Sequence, residues 1–137
     1  MATNNIFDSK KSILVVDDSD LFLNAAEMVL EPWFDVYTLN NAADYEKLLR
    51  NITVDLFILD IEMPEIDGYQ LLKKLREMPA YKHTPVIFLS GNTVQDSLPF
   101  PADGQVFGFI PKPFDDDMFV KRVCQAIANA PSRLFNT

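Results

Sequence analysis

Three uninterrupted apolar runs constrain this chain more than any other feature. They are Ile13-Leu14-Val15-Val16, Leu56-Phe57-Ile58-Leu59 and Val86-Ile87-Phe88-Leu89. Each is rich in β-branched or aromatic side chains and is bounded by polar residues. A strand with one wet face alternates apolar with polar residues. Runs this short and this uniform describe strands buried on both faces, the situation of a parallel sheet covered by helices on either side. They predict strands at about residues 12–16, 54–59 and 86–89. Weaker candidates at 35–39 and 106–110 supply the second and fifth strands in chain order.

Helical patterns fill the intervals. Residues 20–31 place Leu21, Phe22, Ala25, Ala26, Val29 and Leu30 on one side, and Pro32 stops the helix. Residues 41–50 offer Tyr45, Leu48 and Leu49. Residues 68–78 turn Leu71, Leu72 and Leu75 inward and Lys73, Lys74 and Arg76 outward, with Pro79 closing the element. Residues 114–130 open on Asp115-Asp116-Asp117, which suits the positive end of a helix dipole. Their inward stripe is Met118, Phe119, Val123, Ile127 and Ala130. The fourth helix of the alternation, at 92–104, is predicted to be shortened or broken. Pro99 and Pro101 lie inside it, and an interior proline costs about 3 kcal/mol.

Alternating strands and helices imply right-handed crossovers and an α/β fold. The reading is a three-layer, doubly wound, five-stranded parallel sheet in the order 2-1-3-4-5. The chain has 137 residues, one domain's worth, with 48% apolar residues for a single core. The domain is placed at 12–130, with tails at 1–11 and 131–137, the latter a C-terminal tail or a linker remnant.

Composition excludes several functions. A net charge of −8 argues against direct nucleic-acid binding. The four glycines match neither dinucleotide nor nucleoside-triphosphate loop patterns. One cysteine and one histidine exclude an intramolecular disulfide and paired-histidine metal sites. No apolar run approaches the ~20 residues of a membrane span. Lys10-Lys11 precede a stretch too short for a signal peptide, and because small secreted domains usually carry disulfides, a cytoplasmic address is favoured.

In open α/β sheets, ligands bind beyond the carboxyl ends of the strands, where strand order reverses. There the first strand delivers Asp17-Asp18, the third Asp60, the fourth Ser90 and the fifth Lys112. Two carboxylates ~4 Å apart repel by ~4 kcal/mol at an effective dielectric of ~20. Three in one cleft therefore call for a cation, and a few oxygen ligands with room for water and phosphate suit Mg²⁺. Lys112 adds a positive charge and Ser90 a hydrogen-bond donor. The set is suited to a phosphoryl group delivered to a carboxylate.

At these residues the chain resembles the receiver domains of two-component response regulators. It carries Asp17-Asp18 after the first strand and the segment Leu59-Asp60-Ile61-Glu62-Met63-Pro64-Glu65-Ile66-Asp67-Gly68 after the third. Ser90-Gly91 and Lys112-Pro113-Phe114 follow the fourth and fifth strands. Asp60 to Ser90 spans 30 positions and Ser90 to Lys112 spans 22, as in typical receivers. The resemblance implies that Asp60 is the phosphoacceptor and that Asp17, Asp18, Asp60 and the backbone carbonyl of Glu62 bind Mg²⁺. It implies that Ser90 and Phe109 switch, that Lys112 pairs with the phosphoryl oxygens, and that the Lys112–Pro113 bond is cis. The implied donor is a sensor histidine kinase or a histidine phosphotransfer protein. The implied reader is an output protein or an output domain lost from the chain. Such a module is not an enzyme beyond its own phosphorylation and dephosphorylation.

Two other readings stay open. Asp60-Ile61-Glu62 resembles the Asp-x-Asp pair of a small Mg²⁺-dependent phosphohydrolase, although Glu62 replaces the second aspartate and no cap domain is evident. A degenerate receiver serving as a protein-binding scaffold is the other. Three departures from the receiver pattern matter: Ser90 where threonine is also common, Pro111 directly before Lys112, and Pro99 with Pro101 in the fourth helix; Glu62 is expected to tune dephosphorylation. Trp33, His83 and Cys124 are read as structural, Trp33 as packing.

Overall fold

The computed structural model describes residues 10–91 and 103–129. Five parallel strands form one sheet: β1 (Ser12–Val16), β2 (Asp35–Leu39), β3 (Leu56–Asp60), β4 (Val86–Ser90) and β5 (Val106–Pro111), in the order β2-β1-β3-β4-β5. The helices are α1 (Asp20–Leu30), α2 (Tyr45–Leu49), α3 (Gly68–Arg76) and α4 (Asp116–Ala128). The doubly wound sheet read from the apolar runs is present. The predicted break between the fourth and fifth strands, with Pro99 and Pro101, lies outside the described residues, as do most of both tails.

Period-two alternation within each run divides the core into two layers. Ile13, Val15, Leu56, Ile58, Ile87, Leu89 and Ile110 face α1 and α4. Leu14, Val16, Phe57, Leu59, Val86 and Phe88 face α2 and α3. Full burial of each aliphatic side chain contributes about 1.5–3 kcal/mol, so both faces of the sheet lock the same register.

The helix termini are set by side-chain caps. Ser19 Oγ accepts from the Phe22 N–H at 3.2 Å and starts α1. Asp67 and Gln70 cap α3 reciprocally, at 2.8 and 3.0 Å. Asp115 accepts from the Met118 N–H at 2.9 Å, so α4 begins two residues later than the acidic run suggested. The 41–50 helix resolves into a 3₁₀ turn at Ala42–Asp44 followed by α2.

Several expectations need correction. Leu21 was placed inward but is 82% exposed, and Ala25 is exposed too; Ala26 and Leu30 face the sheet as expected, and Leu23 joins them. Apolar residues run all round this helix. Leu21 and Leu23 lie roughly 200° apart on it, and the small Ala26 lets the Leu23 side approach the sheet. Trp33 is 56% exposed rather than packed. Val54 falls outside β3 because its N–H donates to the Tyr81 hydroxyl at 3.3 Å. In α4, Ala126 is buried beside Phe119 and Val123, while Met118 and Ile127 are only partly so.

The fifth strand carries a bulge: Val106 pairs with Val86, yet Phe109 pairs with Phe88. Gly108 absorbs the extra residue at φ +105°, and a Cβ there would meet the Arg122 guanidinium at 2.8 Å. Only glycine fits. Pro111 ends β5 on the sheet edge, where its missing donor disturbs no further strand.

Candidate functional site

Strand register assembles the site. Val16 pairs with Leu59, so the next residues, Asp17 and Asp60, leave adjacent strands side by side. Asp60 pairs with Leu89 and Ser90 with Pro111, which carries Ser90 and Lys112 to the same edge. The Lys112 N–H donates to the Ser90 carbonyl at 2.8 Å and ties the last two together.

One carboxylate oxygen from each of Asp17, Asp18 and Asp60 lies within 4.8 Å of the others. Asp17 is fully buried and Asp60 is 3% exposed, whereas Asp18 faces solvent. Asp17 Oδ1 accepts from the Ser19 N–H at 2.9 Å, and Oδ2 accepts from Lys112 Nζ at 2.7 Å. Lys112 Nζ also stands 3.5 Å from Asp60 Oδ2. Among the described residues, Asp60 Oδ1 receives only the Glu62 N–H, at 3.4 Å. Three hard oxygen donors converging beside open solvent fit a small divalent cation; thiolates and imidazoles have no part in the cluster.

Burial is the main cause that raises the Asp60 carboxyl, to about 6. The neighbouring Asp17 charge adds to it, and Lys112 and the Glu62 N–H offset part of the rise. Burial acts the other way on Lys112, but Asp17 and Asp60 outweigh it and hold its ammonium above the usual lysine range.

The remaining residues singled out from the sequence sit around this cluster. Ser90 is buried at the end of β4. Phe109 is not in the polar group; it stacks on Phe88 at 5.7 Å between centroids, in the α3-side core. Glu62 is exposed. The Lys112–Pro113 peptide is cis. His83 and Cys124 are exposed and lie outside the acidic cluster.

Three contributions were not read from the sequence. Ser19 holds Asp17 while capping α1; a serine just before an apolar helical pattern was the available signal. Gly68 packs on the backbone of the Asp60 turn: a Cβ there would press on the Asp60 carbonyl, and its own N–H donates to the Ile61 carbonyl at 3.0 Å. Phe22 places its ring 4.8 Å from Lys112 Nζ. No local sequence signal marks that last contact, because 90 positions separate the partners.

Comparison with known proteins gives a consistent result. Residues 13–124 match the family described as the response regulator receiver domain. The chain is 33% identical over 120 residues to a probable transcriptional regulator, ycf29, of Pyropia yezoensis, covering 88% of this chain and 54% of that protein. It is 34% identical over 108 residues to the response regulator Rre1 of Synechocystis, covering 77% and 47%. The chain thus spans about half the length of these two curated relatives. Among solved structures, the signal receiver domain of a histidine kinase from Syntrophus aciditrophicus aligns with a TM-score of 0.72 at 30% identity, over 86% of this chain and 90% of that one. No helix among the described residues is long and apolar enough to cross a membrane.

Proposed function

The chain belongs to the response regulator receiver domain family of two-component signalling, and from that premise we propose that Asp60 accepts the phosphoryl group. The observation that carries the proposal is the clustering of three carboxylates, two of which, Asp17 and Asp60, share the Lys112 ammonium. An Asp60 oxygen forms the new bond to phosphorus as the donor's own bond to phosphorus breaks. Only the ionised carboxylate can attack, and with its acidity displaced to about 6 Asp60 is ionised above that pH. Lys112 then exchanges its contact with Asp60 for the incoming phosphoryl oxygens. Ser90 donates a hydrogen bond to them, and Phe109 repacks beside Phe88 as Ser90 moves.

Asp17, Asp18 and Asp60, with the backbone carbonyl of Glu62, would hold Mg²⁺. Bound there, the ion supplies positive charge to the transferring oxygens. The donor is a sensor histidine kinase or a histidine phosphotransfer protein, and the reader is an output protein or domain. Neither nucleic acid nor membrane is bound directly. The unit runs from residue 12 to 130, works in the cytoplasm, and performs no chemistry beyond its own phosphorylation and dephosphorylation.

The test is incubation with acetyl phosphate and Mg²⁺, followed by mapping of the modified residue. Labelling of the wild type at Asp60, and none of Asp60→Asn, is the expected result. Equal labelling of both proteins would defeat the assignment. Sustained turnover of a generic phosphate monoester would defeat the non-enzyme reading.

A further inference from the structure

We propose that Phe22 is a positioning residue of this phosphoryl-transfer site, its ring face holding the Lys112 ammonium against Asp17 and Asp60. The inference rests on the roles just given to Asp60 and Lys112 and adds a residue to which they assign nothing.

An ammonium carries three N–H donors. Lys112 Nζ has Asp17 Oδ2 at 2.7 Å and Asp60 Oδ2 at 3.5 Å. Its third neighbour is the Phe22 ring, with the centroid 4.8 Å away. That is inside the ~6 Å over which an aromatic quadrupole attracts a cation. The lysine side chain is 20% exposed, so water competes weakly for the ammonium and the ring counts for more than it would at the surface.

The ring is itself fixed from two directions. On the α1 side, the Phe22 N–H donates to Ser19 Oγ at 3.2 Å, and the Ser19 N–H donates to Asp17 Oδ1 at 2.9 Å. On the other side, Phe114 meets the ring edge-on at 5.4 Å and 87°, and Phe114 stacks on Phe119 at 4.2 Å. Phe114 lies two residues after Lys112. The turn that delivers the ammonium therefore also delivers the partner of the ring that holds it. Carboxylate, cap, ring and ammonium close into one loop of contacts.

The chemistry favours a ring at this place. A further carboxylate would bind Lys112 more tightly, but it would add negative charge to a pocket that must receive a phosphoryl group. A leucine would fill the space beside Phe114 and offer the cation no negative face. An aromatic face holds the ammonium without neutralising it, so Lys112 keeps its charge for the phosphoryl oxygens.

The experiment compares full-length wild type, Phe22→Leu, Phe22→Met and Phe22→Tyr. Asp60 labelling is followed across acetyl phosphate concentrations at saturating Mg²⁺, with ¹⁵N relaxation of the Lys112 ammonium and thermal unfolding on the same samples. Both aliphatic variants are expected to lower the maximal labelling rate about two- to fivefold, the range set by a cation–π contact. They should also loosen the ammonium, and the tyrosine variant should restore both readouts. A folded aliphatic variant with wild-type rate and wild-type ammonium order would overturn the proposal. So would a loss that tyrosine does not restore, which marks the ring as packing alone. If the wild type itself is not labelled at Asp60, the phosphoacceptor reading fails, and the ammonium relaxation still decides whether Phe22 holds Lys112.

Discussion

Replacing Asp60 with asparagine should abolish the proposed function and make the protein more stable. Asp60 is almost wholly buried. That burial, with the Asp17 charge, lifts its carboxyl from 3.8 to about 6 even after Lys112 and the Glu62 N–H are counted. The displacement is roughly two pH units, and each unit corresponds to about 1.4 kcal/mol between the protonation states. The ceiling is therefore about 3 kcal/mol. Solvent reaching the pocket beside Asp18 screens part of it, so about 2 kcal/mol is the figure to test. The sign follows from proton binding. Between 3.8 and about 6 the folded chain holds the proton more tightly than the unfolded chain, so stability falls as pH rises through that window. Asparagine keeps the shape and removes the ionisation. Urea unfolding in EDTA should show Asp60→Asn about 2 kcal/mol more stable at pH 8, or about 6 °C higher in Tm. The gain should shrink between pH 6 and 4 and vanish below. Adding Mg²⁺ should narrow the gap by favouring the ionised wild type. A variant no more stable than the wild type at pH 8, or a gap that ignores pH, would refute the argument.

Three further outcomes follow from contacts around the sheet. Gly68→Ala should destabilise by about 3 kcal/mol and impair Asp60 labelling, because its Cβ would press on the Asp60 carbonyl and on Ile61 Cα, backbone that cannot move aside. Gly91→Ala is the contrast: among the described residues its Cβ meets only the Lys112 stem at 3.7 Å, so chemical denaturation should place it within about 0.5 kcal/mol of wild type. Arg76→Leu should cost about 2 kcal/mol at pH 7, since Arg76 grips Asp103 at 2.7 and 3.1 Å and the Tyr81 and Thr84 carbonyls at 2.8 and 2.7 Å. Burial alone would raise Asp103, but Arg76 and the Gln105 N–H hold it below the ordinary value. That share of the stability is therefore present above about pH 4 and lost as pH falls through the lowered value. Denaturation of both proteins from pH 7 to 3 should show the gap closing.

The sheet was legible because burial on both faces leaves no polar residue inside a strand, and the three apolar runs carry that condition in their composition alone. The strand order and the placement of Asp17, Asp60, Ser90 and Lys112 then followed from topology. The orientation of α1 was not legible. Leu21, Phe22, Leu23, Ala25 and Ala26 offer apolar side chains in nearly every direction, and only the docked sheet selects the Leu23–Ala26–Leu30 side. Strand ends shifted where a side chain took over a backbone partner, as Tyr81 does for Val54. The Phe22–Lys112 contact was hidden because a cation over a ring has no spacing rule, only a distance that exists after folding.

The three carboxylates differ in how fully the protein satisfies them, and that difference points to which one reacts. Both oxygens of buried Asp17 are engaged by short hydrogen bonds, from the Ser19 N–H at 2.9 Å and from Lys112 at 2.7 Å. Asp18 faces water, which solvates it freely. Asp60 is as secluded as a core side chain, yet among the described residues its oxygens receive only long contacts, 3.4 Å from the Glu62 N–H and 3.5 Å from Lys112. A carboxylate deprived of water and of short donors keeps its electron pairs available, and a well-bonded one does not. These environments agree with the roles proposed above: Asp17 to anchor, Asp18 to face arriving ligands, and Asp60 to attack. The same deprivation lifts its acidity to about 6, so the reactivity proposed for Asp60 and the stability that asparagine should recover have one physical origin.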